Sequence, residues 1–313
     1  MKEEIAVVSP VRQSSSMELA KDRSVVLKLE RAPTSLWRDA LRRLLRNKLA
    51  IAGMVILGVF LLCALFAPFL SPYGPNAQEL TLRRQSPSPA HVFGLDDLGR
   101  DILSRIIYGS RLSLRVGVLS VSFAIVIGTL LGAVSGYWGG WADNVVMRFM
   151  DIMLAFPALL LAIAIVAILG PGLMNMLLAI AIVSIPNYAR LVRAQVLSVK
   201  EQDYVLAARA IGVGPTRMLL RGILPNCITP IIVQGTLGIA TAILDAAGLS
   251  FLGLGAQPPT PEWGAMLGEG RFSMFTAPHI IIFPGIAIML TVLGFNLLGD
   301  GMRDALDPRL RMD

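Results

Sequence analysis

The sequence predicts an all-α integral membrane protein with six transmembrane spans. Three observations carry that prediction. Apolar runs of about 20 residues contain no charged residue, as helices in lipid require. Basic residues gather at the ends of those runs. A Gly-Pro-Gly cluster divides the one run that is too long for a single crossing. The composition agrees: 55% of the 313 residues are hydrophobic and 16% are charged, whereas soluble domains carry about 25% charged residues.

Residues 1–48 are polar. Within them, 1–34 read as a cytoplasmic tail, and 35–48, with the run RRLLRNK, read as a basic amphipathic approach to the membrane. Span 1 is 49–70; it lies too far from the N-terminus and runs too long for a cleavable signal peptide. Span 2 is 116–142, with a start as early as Ser110, and its apolar part ends near Ser135 before Gly-Tyr-Trp-Gly-Gly. Residues 152–189 are uncharged throughout, and Gly170-Pro171-Gly172 splits them into spans 3 and 4, at 150–169 and 174–192. Asp151, just before span 3, reads as an interfacial cap. Spans 5 and 6 are 225–244 and 279–299. The chain thus divides into a tail, 1–48, and a membrane domain, 49–313.

Basic residues set the orientation. With the N-terminus inside, the inner segments hold 21 of the 28 Lys and Arg residues and the outer segments hold 5. The expectation is N-in and C-in. The net charge of +7 therefore reflects membrane topology, and no nucleic-acid partner is expected. Cys63 and Cys227 read as small packing residues, since two cysteines here support neither a disulfide framework nor a metal site. Gly132 and Gly136 form a G-x-x-x-G pattern suited to close helix packing.

The longest inner loop, about 193–225, contains DYVLAARAIGVG. Tyr204, Ala207, Ala208 and Ile211 share one helical face, Asp203 stands at the N-terminal end as a cap, and Gly212, Gly214 and Pro215 stop the helix. A face this rich in alanine lacks the large anchors of a helix lying on lipid; it suits docking in a groove of another protein. No Walker A pattern, H-E-x-x-H or G-x-S-x-G occurs. An energy source based on ATP would have to be another polypeptide.

Two further regions carry polar candidates. FGLDDLGRDILSR offers Asp96, Asp97, Arg100, Asp101 and Arg105 on the outer side. The spacing does not match a calcium loop. It reads as an outer helix whose acids pair with Arg100 and Arg105, as surface contacts worth a few tenths of a kcal/mol. Asp245 follows span 5 at membrane depth, where an acid is a functional candidate. It either sits at a helix turn or pairs with a partner-subunit group, or it lines a path. His91 and His279 are isolated at span edges and take no assigned role.

The inner loop AARAIGVGPTRMLLRGILP resembles the "EAA" loop of bacterial ABC importer permeases: Ala207, Ala208, Gly212, Leu224 and Pro225 match, while Leu206 and Gly222 stand at the motif's Glu and Ile. HVFGLDDLGRDILSRIIYGSRLSL, FLGLGAQPPTPEWGAML and NLLGDGMRDALDPRLR extend the resemblance to the dipeptide, oligopeptide and nickel permease family, as its C-type subunit. The resemblance implies a type I importer permease fold in a bacterial inner membrane. It implies that the inner helix (Asp203, Tyr204, Ala207, Ala208, Gly212, with Leu224 and Pro225 beyond it) couples to ATPase subunits. It implies that the Asp96–Arg105 region faces a substrate-binding protein. Expected partners are a second permease chain, two cytoplasmic ATPase subunits, that binding protein and membrane lipid. This chain would bind no cofactor and hold no catalytic site, ATP and Mg being used by its partners. Short peptides, dipeptides first, are the implied substrates; glutathione, nickel and longer peptides are alternatives. The rival class is a secondary transporter driven by an ion gradient, against which the sequence shows no internal repeat.

Overall fold

The computed structural model describes residues 41–306. The chain divides into a short N-terminal unit, Met1–Arg43, and a body, Leu44–Asp313. Most of the first unit, including the expected tail 1–34, lies outside the described residues. In the following, the basic-rich side of the body is called inner.

Helix α1, Lys48–Leu70, begins where the Asn47 side chain accepts the Leu49 and Ala50 N–H groups at 2.9 and 3.3 Å. Its Pro68 cannot donate to Ala64, and the helix leaves ideal geometry at Phe66. Within a bilayer a carbonyl left unpaired costs several kcal/mol. Arg111 on the neighbouring helix answers this: its guanidinium donates to the Ala64 carbonyl and, at 2.9 Å, to that of Leu65.

Helix α2, Ile102–Trp138, is 37 residues long, about 55 Å at helical rise. It starts fourteen residues before the predicted Val116 because Asp101 caps it, accepting from the Ser104 amide at 2.8 Å and hydroxyl at 2.7 Å. Helices α3, Gly140–Leu154, and α4, Ala158–Leu169, meet at a 94° bend. The predicted straight span 150–169 is therefore corrected to a bent pair, broken ahead of Pro157, which cannot continue the preceding helix. Asp151 is no cap; it lies within α3 and pairs with Arg190. Helix α5, Leu173–Lys200, follows the predicted Gly-Pro-Gly turn, where Gly170 has φ 89° and Asn175 donates to the Leu169 carbonyl at 2.9 Å.

Helix α6, Asp203–Ala210, is the short inner helix. A turn at Pro215–Arg217 and a π-helical turn at Met218–Ile223 lead into α7, Leu224–Phe251. Outer helix α8, Trp263–Gly270, is capped by Glu262 accepting from the Ala265 amide at 2.9 Å. Helix α9, His279–Leu306, closes the body. Among the described residues, five helices are long and apolar enough to cross a membrane, and the bent α3–α4 pair makes up to six. The fold class is thus all-helical, as predicted.

Small residues hold α2 against α5. Gly128, Gly132 and Gly136 recur every four positions on α2. A Cβ on Gly132 would collide with the Ala189 backbone carbonyl, and one on Gly128 would stand 2.6 Å from Tyr188 Cβ. The predicted G-x-x-x-G face therefore packs within the subunit. Two apolar clusters fill the membrane body. One joins α2, α3, α4, α5 and α7, and the other joins α2, α7, α8 and α9 around fully buried Trp263. A third lies under α6.

Candidate functional site

Helix α6 is positioned by one buried side chain. Val205 is fully buried among Val196, Val199, Met218, Leu219 and Ile223. Tyr204 fixes the rotation of α6: its hydroxyl donates to the Gly222 carbonyl at 3.0 Å and accepts from Asn226 at 2.9 Å. Arg209 lies over the Tyr137 ring, 5.9 Å from its centroid. Gly212, at φ 82°, turns the chain out of α6 at no steric cost. Leu224 is half-buried and Pro225 exposed where α7 begins.

This geometry corrects the expected face. Ala208 packs toward the body beside Val205, because a helix of two turns with Val205 inward carries position 208 with it. Ala207 remains exposed, and the outward surface is completed by Leu206, 47% exposed, and Ile211, 83% exposed. Asp203 does not cap either. It is the first helical residue, and the cap position, Gln202, makes no side-chain bond. Asp203 still favours the helix by its charge in the first turn.

At the inner end of α3, Asp143 receives two bonds of 2.6 Å from Arg193 on α5, and Ser135 of α2 donates to the same carboxylate. Sequence reasoning missed this tie, since 50 residues separate its charged partners.

The outer polar region is also rebuilt by the structure. Residues 95–101 form a turn closed by a Leu95–Asp101 bridge, so the expected helix through Asp96 and Asp97 is corrected: helix begins only at Ile102. Asp96 is buried, accepting the Leu98 and Arg100 amides at 2.9 Å each and Arg100 Nε at 2.6 Å. Arg100 also reaches Glu269 on α8 at 2.5 Å. Arg105 is fully buried, 3.7 Å from Asp96 and 3.4 Å from Glu269, and it donates to the Pro75 and Pro259 carbonyls at 3.3 and 3.4 Å. Asp97 instead takes Arg84 at 2.5 Å and the Ser273 hydroxyl at 2.6 Å, and Asp101 takes His91 at 3.0 Å. The acids do meet Arg100 and Arg105, through Asp96, but the pairs are buried and bind loop to helix. Glu269 carried no local sequence signal because its partners lie more than 160 residues away.

Asp245 lies inside α7, since that helix continues to Phe251 past the predicted end at Leu244. It is half-buried. Among the described residues, no group of three or more His, Cys, Asp or Glu side chains is placed to hold a metal ion.

Long apolar helices, with a short exposed helix on the inner side and a charged tie on the outer side, make up a membrane-spanning body. The chain belongs to the family of binding-protein-dependent transport system inner membrane components, whose model matches residues 128–312. The model for the N-terminal transmembrane domain of oligopeptide transport permease C matches residues 35–87. The dipeptide transport system permease protein DppC of Alkalihalophilus pseudofirmus is 54% identical, over 88% of this chain and 90% of that protein. The glutathione transport system permease protein GsiD of Pectobacterium atrosepticum is 48% identical, over 95% of this chain and 96% of that protein. The di/tripeptide permease DppC of Pseudomonas aeruginosa is 51% identical over 85% and 89%. Among solved structures, an inward-facing MetNI methionine ABC transporter chain superposes with a TM-score of 0.54 at 19% identity, covering 66% of this chain and 98% of that one. The fold is thus that of a type I ABC importer permease, and the chain resides in the inner membrane.

Proposed function

We propose that this chain is one of two permease subunits of an ATP-driven importer for short peptides. The path lies between the two permeases. Two cytoplasmic ATPase subunits dock on the inner loops of the two permeases, one of them on the Leu206, Ala207 and Ile211 surface at α6 of this chain, with Asp203, Gly212 and Pro225 framing it. A substrate-binding protein docks on the outer side, over the region held by Asp96, Asp97, Arg100, Asp101 and Arg105. The observation that carries this reading is α6 itself: a two-turn inner helix anchored by Val205 that leaves large apolar side chains exposed. Without a Walker A loop in this chain, ATP and Mg belong to the docked subunits, and the chain supplies passage and coupling with no covalent step. Closing of the ATPase pair below would move α6, and through α7 and the π-helical turn the membrane helices above.

The relatives named for dipeptides and for glutathione support short peptides as the substrate class; the GsiD likeness supports glutathione as a second reading. Uptake into vesicles containing the whole complex tests both. ATP inside the compartment that holds α6, with the binding protein outside, should drive uptake of dialanine. Glutathione taken up in preference would favour the second reading. Uptake that needs a proton gradient and no ATP would place the chain among ion-driven transporters.

A further inference from the structure

Helix α7 has three faces, and two of them are occupied. Ala242, Ala246 and Leu249 pack into the cluster shared with α2 and α5, while Ile243 and Ala247 pack into the cluster around Trp263. At 100° per residue, Gln234, Thr241, Asp245, Gly248 and Leu252 fall together within about 60° on the third face. Gln234, Thr241 and Leu252 are exposed, and Asp245 and Gly248 are half-buried. Neither Gln234 nor Asp245 makes a hydrogen bond or ion pair with any described residue. A Cβ added at Gly248 would find only Leu159 of α4, at an ordinary 3.8 Å, so the stripe has room beside it.

Such a stripe does not suit lipid. A carboxylate at membrane depth is costly and is kept where it meets a partner or water. Asp245 lies six residues before the outer end of α7, about 9 Å along the axis. A molecule entering from outside would meet it first, then Thr241 about 6 Å and Gln234 about 16 Å deeper. Small and polar neighbours leave this carboxylate open to a mobile ligand.

We infer that Asp245 contacts the substrate in the translocation path, its carboxylate receiving the protonated amino group of the passing peptide, with Thr241 and Gln234 continuing the polar track inward. This rests on the peptide-importer reading above, and the test separates the two. The complete complex is reconstituted in vesicles with binding protein, and radiolabelled dialanine is the probe. Asp245→Asn should lower ATP-driven uptake at least tenfold, keep both permease chains and both ATPases in the purified complex, and keep binding-protein-stimulated ATP hydrolysis within twofold. Asp245→Glu should restore half or more of the uptake. Independently of substrate, with Cys63 and Cys227 replaced by Ala, Asp245→Cys, Thr241→Cys and Gln234→Cys should react with a cationic, membrane-impermeant thiosulfonate, while Ile243→Cys should not. Undiminished uptake by Asp245→Asn overturns the inference. So does loss of the second permease chain from that variant, which would make the carboxylate an assembly contact. An unreactive Asp245→Cys overturns it too. Failure of the wild-type complex to take up either dialanine or glutathione with ATP would instead overturn the importer reading, and the thiol reaction would still decide whether Asp245 lines a path.

Discussion

The two ends of the molecule use their polar and apolar side chains in opposite ways. At the outer end, charges are buried: Asp96, Arg100 and Arg105, with half-buried Glu269, bind a loop, the start of α2 and helix α8 into one unit. At the inner end, apolar groups are exposed: Leu206 and Ile211 stand out from a helix held by Val205 and two hydrogen bonds through Tyr204. Burying charge is costly unless every charge is matched, so the outer end is built to stay as it is. Leu206 and Ile211 stand together on one short inner segment, and a patch of exposed apolar side chains suits an interaction surface, the role proposed for this end. The difference separates a charge-locked outer lid from an inner helix that we propose as a docking handle within one chain.

The comparison can be broken most strongly at the lid. Asp96→Ala removes the acceptor of two backbone amides and of Arg100, leaving buried guanidinium groups short of an anion. Breaking a buried pair in this way costs roughly 3–5 kcal/mol, so the complex should be recovered poorly and unfold at a much lower temperature. Gly132→Val attacks the membrane body, where α5 backbone stands against the glycine. Overpacking of this kind costs about 1–3 kcal/mol or more, and a lowered thermal midpoint in detergent should show it. Arg84→Ala removes a half-exposed partner of Asp97 and should cost no more than about 1 kcal/mol. Leu206→Arg should be the mildest for the fold, within about 0.5 kcal/mol because its side chain faces outward. If it destabilises as much as Asp96→Ala, the handle is a structural element and the comparison fails.

The membrane helices were legible because lipid forces a long uncharged run to be a helix, and the Gly170-Pro171-Gly172 break left only one placement for the turn before α5. The bend ahead of Pro157 was less legible: a lone proline in an apolar run is also tolerated within membrane helices, as Pro186 in α5 and Pro284 in α9 are. Local spacing identified Tyr204 through Gly212 as a short helix, yet it could not say which side faces the body. Val205 decides that, through contacts with residues up to 18 positions away in the π-helical turn. The outer charges were seen, but their burial was not, because Glu269 and the Pro259 carbonyl come from distant parts of the chain. Asp245 was read at the end of a span because the uncharged run stops there; the helix continues because its two packed faces do.

If the exposed face at α6 is where an outside energy source acts on this chain, charging that face should stop transport and spare the fold. The most direct measurement is dialanine uptake by the reconstituted complex carrying Leu206→Arg together with Ile211→Arg, alongside the thermal midpoint of the same preparation. The expected result is a wild-type midpoint with uptake reduced at least tenfold and the ATPase subunits lost or uncoupled from it. Uptake at the wild-type rate with both arginines in place would contradict it.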